Sequence, residues 1–123
     1  MDDFMAVFTA KRLEAVRKAL AANNFEAHVA ADAVAAAELV LTQLVPETGA
    51  GTVSFGGSGT VAALGLVSAL LDNPDYAVLN TTDKSLAPEK MYELRRKALL
   101  ADCFLTGTNA VTEAGQLVNL DMI

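Results

Sequence analysis

Thr52-Val53-Ser54-Phe55, followed at once by Gly56-Gly57-Ser58-Gly59-Thr60, is the stretch that decides the fold. Its first four residues are β-branched or aromatic and predict a short strand. The next five supply glycines and two hydroxyls. Val61 to Leu71 then predicts a helix that is apolar on nearly every face and so buried on most of them. A strand, a Gly-rich turn and a helix in that order call for a crossover connection and a parallel neighbour.

The neighbours continue the alternation. Asp72-Asn73-Pro74-Asp75 is a turn, and Tyr76-Ala77-Val78-Leu79-Asn80 reads as a continuous apolar strand, covered on both sides. Pro88 suits the first turn of a helix running to about Leu100. Cys103-Phe104-Leu105-Thr106 predicts another doubly covered strand. Glu113-Ala114-Gly115-Gln116 predicts a turn, and Leu117 to Leu120 starts one more strand before Met122-Ile123. Upstream, Asp32 is placed to cap a helix ending near Leu44, before Pro46. Phe25-Glu26-Ala27-His28-Val29 alternates like a half-exposed edge strand. Thr9 is placed to cap a helix to about Ala22, with Leu13, Val16 and Leu20 on one face. The reading is a single α/β domain over residues 1–123, a mostly parallel sheet with flanking helices.

Composition narrows the function classes. The chain has 123 residues, 53% of them hydrophobic and 20% charged, which is neither disordered nor fibrous. Its net charge of −6 leaves no large basic patch for nucleic acid and disfavours an acidic membrane surface. The acidic start, Met1-Asp2-Asp3-Phe4, is not a secretory signal, and the apolar run from Val61 is about half the length that spans a bilayer. The expected compartment is therefore the cytoplasm. Cys103 is the only cysteine, so no intrachain disulfide, no cysteine metal cluster and no other metal-ligand constellation is expected. Its place in an apolar strand predicts an inert thiol.

Ligands of parallel sheets sit at the carboxyl ends of the strands. Three such ends are polar or Gly-rich: Gly56 to Thr60, Asn80 to Ser85, and Thr106 to Asn109. In the first, Gly56, Gly57, Ser58, Gly59 and Thr60 combine close backbone approach, hydroxyls and a following helix start, which suits an anion. The same loop can equally be a tight turn whose hydroxyl caps the helix. Gly57 to Ala62 also fits the G-x-G-x-x-A fingerprint, but the next strand ends in Asn80-Thr81 where a ribose-binding acid belongs. No cofactor follows from it. Lys84 is a candidate anion partner or a solvated lysine. Gly107 and Asn109 end the third strand, Asn109 as an oxyanion donor or a left-handed turn residue. Glu113 is a candidate catalytic base or nucleophile, or a hairpin turn residue. His28 has no Asp or Ser near it and reads as a surface residue.

These residues resemble a known family. Phe55-Gly-Gly-Ser-Gly-Thr60, with Ala101-Asp-Cys-Phe-Leu-Thr-Gly-Thr-Asn-Ala-Val-Thr-Glu-Ala-Gly-Gln-Leu-Val-Asn-Leu-Asp121, is similar to the LUD domain, the lactate-utilisation protein C family. Arg12-Leu13, Ala19-Leu20 and Arg95-Arg96-Lys97-Ala98 agree as well. The resemblance implies a Rossmann-like fold similar to ribose-5-phosphate isomerases and coenzyme A transferases. By position, Gly56 to Thr60 would match their phosphate- or pantetheine-binding loop, and Glu113 their acid. It also implies a part in oxidising L-lactate to pyruvate, alongside iron–sulfur partner subunits. The expected ligand is a small anion: lactate, a phosphate or an acyl ester. The alternative it implies is an isomerase-like or transferase-like enzyme using Glu113. Family members continue beyond the position of Asp121 through a Gly-Asn-Arg segment. The expectation is therefore a domain whose C-terminal part is missing, its open apolar face covered by that part or by self-association into a homo-oligomer.

Overall fold

β1 (Thr52–Phe55) is the centre of a three-stranded parallel sheet in the order β2–β1–β3, with β2 at Ala77–Leu79 and β3 at Cys103–Leu105. Thr52 pairs with Ala77, and Val53 with Cys103. The computed structural model describes residues 2–120; Met1, Asp121 and the expected apolar end at Met122-Ile123 lie outside them. The elements before and between the strands are α1 (Asp2–Ala22), α2 (Ala33–Leu39), a π-helical turn (Val40–Leu44), α3 (Val45–Glu47), α4 (Gly59–Ala63), α5 (Leu66–Leu71) and α6 (Pro88–Ala98). A two-stranded antiparallel hairpin, β4 (Ala110–Val111) with β5 (Leu117–Val118), follows β3.

The chain forms two compact units, one of Met1–Ala30 with Thr108–Ile123, the other of Ala31–Gly107. The second unit holds the parallel sheet. Period-2 alternation sends Val53 and Phe55 to one face and Ser54 to the other, and all three are buried. Val53 and Phe55 join Val45, Val61, Leu66 and Leu70 in the core, with Ala37, Val40 and Leu41 packed against it. α6 lies against β1 and β2, and its Ala98 is buried outside that cluster, so β1 is covered from both sides. Ser54 is satisfied inside the sheet, where its hydroxyl donates to the Leu79 carbonyl at 2.8 Å.

Several sequence expectations are corrected. β2 and β3 are not doubly covered: they are the sheet edges, Ala77 is exposed and Phe104 is 49% exposed. The buried strand is β1, flanked by both. The Val61–Leu71 helix is two helices, broken where Gly65 takes a left-handed φ of +71°. Pro46 does not stop the second helical segment. It lies within a continuous helical run, where the π-helical turn before it, with Val45 N–H donating to the Val40 carbonyl, makes room for a residue that has no N–H. Asp32 does cap α2, its carboxylate accepting from Ala35 N–H at 2.8 Å. No strand forms over residues 25–30, which are irregular, and His28 there pairs with Glu26 at 3.0 Å.

In the other unit Thr9 lies inside α1 rather than at its start, because the helix begins at Asp2. α1 ends at Asn23-Asn24. Asn24 adopts a left-handed φ of +69°, and Phe25 N–H returns to the Leu20 carbonyl at 3.1 Å. The β4–β5 turn packs on this end: Asn23 Nδ2 donates to the carbonyls of Ala114 (3.1 Å) and Gly115 (2.8 Å). Among the described residues, no helix is long and apolar enough to cross a membrane.

Asp102 fastens the start of β1 to the start of β3. Its Oδ2 accepts from the N–H groups of Gly51 and Thr52, both at 3.1 Å, and Thr52 Oγ1 accepts from Asp102 N–H at 2.9 Å. The Thr52 backbone bond, then the Thr52 side chain and the Gly51 backbone, lower the Asp102 pKa. A carboxyl that is more acidic folded than unfolded stabilises the fold above its unfolded pKa and loses that effect as pH falls through the folded value. The stability gap between wild type and Asp102→Asn is therefore expected to be constant near neutrality and to shrink below about pH 4. Urea titrations at pH 7, 5 and 3 measure it, and an unchanging gap would count against this role.

Candidate functional site

Three parallel strands in register bring their carboxyl ends to one edge, so the loops after β1, β2 and β3 meet there. The first and third touch. A Cβ on Gly107 would fall 2.6 Å from Ser58 Oγ, and one on Gly56 2.5 Å from Thr106 Oγ1. Both glycines thus serve loop–loop packing. Around Gly57 and Gly59 the space is open. None of the four takes a positive φ.

The loop amides divide into two groups. Gly56 N–H donates to the Leu105 carbonyl and Ser58 N–H to the Gly56 carbonyl, each at 2.8 Å. Ser58 is the N-cap of α4, its Oγ accepting from Val61 N–H at 3.2 Å. The N–H groups of Gly57, Gly59 and Thr60 donate to nothing among the described residues. The capping role weighed for this loop and its open amides are thus both present.

A crevice of about 660 Å³ opens between this loop, the loop after β2 and one side of α6. Gly57 borders it. Lys84 and Arg95 bring two cations, while Leu86, Met91 and Tyr92 bring apolar and aromatic surface. The hydroxyls at its rim are already engaged: Thr81 Oγ1 donates to the Phe55 carbonyl (2.8 Å) and Thr82 Oγ1 to Asn80 Oδ1 (2.5 Å). Asp83 also lies here. Its carboxylate is turned onto its own loop, accepting from Ser85 N–H at 2.9 Å and Ser85 Oγ at 2.6 Å, and the Ser85 side chain and backbone hold its pKa below the ordinary value. What remains to meet a ligand is the two cations, the Gly57 N–H, the Tyr92 hydroxyl and the second carboxylate oxygen of Asp83. Arg95 and the α6 wall were not singled out from the sequence. Their signal was the basic run Arg95-Arg96-Lys97, which any solvated helix can carry.

Asn109 and Glu113 fall in the other unit. Asn109 is not in a left-handed turn; its Oδ1 accepts from Leu120 N–H at 2.8 Å and its N–H donates to the Val118 carbonyl, closing the hairpin. Glu113 stands in the β4–β5 turn, largely exposed, with Arg12 Nε 3.2 Å from its carboxylate. Cys103 is half-buried rather than buried, and desolvation raises its thiol pKa, which fits an unreactive group.

A family model described as LUD domain matches residues 13–123. No curated protein and no solved structure gives a match.

Proposed function

The chain belongs to the LUD domain family, and from that premise we propose that it serves organic-acid utilisation of the lactate-oxidising kind as a subunit that binds a small anion in the crevice at the carboxyl edge of its sheet. The observation that carries this reading is the pairing of Lys84 and Arg95 around one crevice beside the open Gly57 N–H, in a chain whose net charge is −6. Two cations face one carboxylate, Asp83, across this crevice of an acidic protein, which leaves its local charge in favour of an anion. Arginine offers a planar fork to a carboxylate or phosphate, and lysine a point charge. The apolar wall of Leu86 and Met91 suits a short carbon skeleton on the anion. With Cys103 as its single thiol, the chain supplies no cysteine set for an iron–sulfur cluster. Electrons taken from lactate would pass through iron–sulfur partner subunits.

A ligand thermal-shift series on the full chain tests the reading, using L-lactate, a sugar phosphate and a coenzyme A ester. An anion at 100 times its dissociation constant is expected to stabilise the fold by about 2.7 kcal/mol. Lys84→Ala and Arg95→Ala are each expected to weaken it about tenfold or more, the scale of a charged hydrogen bond. No shift with any anion, or a shift that both variants retain, refutes the reading. A shift with the coenzyme A ester alone, abolished by Glu113→Gln, would favour a transferase-like enzyme instead.

A further inference from the structure

The first three turns of α1 carry an apolar surface that nothing among the described residues covers. Phe4, Met5, Val7 and Phe8 are each more than half exposed. They are linked by i, i+3 and i, i+4 spacings (Phe4 to Val7 and Phe8, Met5 to Phe8), so they form one stripe. Nearer the other end of the helix Val16, Ala19 and Leu20 are half-buried, and Met5 and Phe8, eleven residues before Val16 and Ala19, continue that face into the open. The stripe lies before residues 13–123, which match the family model.

Its ends are charged in opposite senses. Asp3 precedes it, i+4 from Val7, and Lys11 follows it, i+3 from Phe8 and i+4 from Val7. Among the described residues neither Asp3 nor Lys11 has an ion-pair partner, whereas the adjacent Arg12 is held by Glu113. A stripe with an acid at one end and a base at the other complements itself when a second copy runs antiparallel. Two α1 helices crossing at Val7 set Asp3 of each beside Lys11 of the other, twice per pair by symmetry.

We propose that this stripe is a homodimer contact, α1 against α1 of a second copy in antiparallel register. The four side chains offer on the order of 400 Å² per copy, near the largest patch an ordinary monomer leaves open. The total of roughly 800 Å² is below that of permanent dimers, so the association is weak, with a dissociation constant in the micromolar range. The inference does not depend on the anion crevice.

Sedimentation of the full chain from 1 to 200 µM tests it. The expected result is a reversible monomer–dimer equilibrium that Phe8→Glu shifts to monomer by at least a hundredfold. Asp3→Lys and Lys11→Asp leave the apolar stripe in place, and each alone is expected to weaken the dimer about tenfold by setting like charges together. Mixed one to one, those two variants are expected to form heterodimers as strong as the unmodified pair, because each supplies the charge the other lacks. A chain monomeric at 200 µM overturns the proposal, whether or not it sediments with anionic vesicles. So does a dimer indifferent to Phe8→Glu, or charge variants that fail to rescue each other.

Discussion

Gly115→Ala is expected to remove about 3 kcal/mol from the unit that joins α1 to the β4–β5 hairpin. Two independent penalties act at this residue. Its φ is +80°, a left-handed conformation that costs an alanine roughly 1–2 kcal/mol. The added Cβ would also lie 2.5 Å from the Ala19 carbonyl carbon and 2.7 Å from both the Ala19 oxygen and the Leu20 nitrogen. All three are backbone atoms of α1, so no side chain can swing aside. Overpacking of this kind costs a further 1–3 kcal/mol. Relief requires the hairpin to lift from the helix, which breaks the Asn23 bonds to Ala114 and Gly115. Hydrogen exchange locates the damage: protection at Thr112 and Gln116 is expected to fall while that at Val53 and Ser54 persists. Equal protection in variant and wild type would show that the contact is dispensable.

Phe55→Ala is the larger loss for the other unit. Phe55 is 1% exposed, on the central strand, among Val45, Val61, Leu66 and Leu70. Truncating such a ring costs about 3–5 kcal/mol, a transfer loss plus the cavity left behind. At roughly 0.05–0.15 kcal/mol per residue, the unit Ala31–Gly107 holds about 4–12 kcal/mol, so this single loss takes a quarter of it or more. Chemical denaturation is expected to show a variant largely unfolded in the absence of denaturant or near it. A midpoint within a few tenths molar urea of wild type would mean that this core is not what holds the sheet.

What the sequence made legible follows from how local each signal is. The Thr52–Phe55 strand, the Asp32 cap and the Pro88 start depend on neighbours within four residues, and all are present. The turn at Glu113 to Gln116 is equally local, and it closes the hairpin. The burial of β2 and β3 was misjudged because an apolar run looks the same at an edge as at a centre; strand order decides, and it is set by residues about 25 and 50 positions away. Residues 25–29 alternate like a strand, yet a strand needs a partner, and among the described residues none pairs with them. At the candidate site, Gly57 and Lys84 border the crevice as expected for a shared edge, but Arg95 comes from a helix three turns long whose facing side only the packing reveals.

The strand order also bears on how the protein emerges from a ribosome. β1 is made first, and its second edge waits for β3, whose residues follow it by about 50 positions. At 5–20 residues per second that is about 3–10 s in which a nascent Val53 and Phe55 have no second strand beside them. No hairpin can shelter them meanwhile, because both of β1's partners run parallel and each needs a crossover before it can pair. The shortness of β1 limits the hazard: four residues between Gly51 and Gly56 are fewer than the six or seven that seed cross-β stacking. The glycines that end β1 so abruptly also keep the half-made chain from sticking to its neighbours on the polysome.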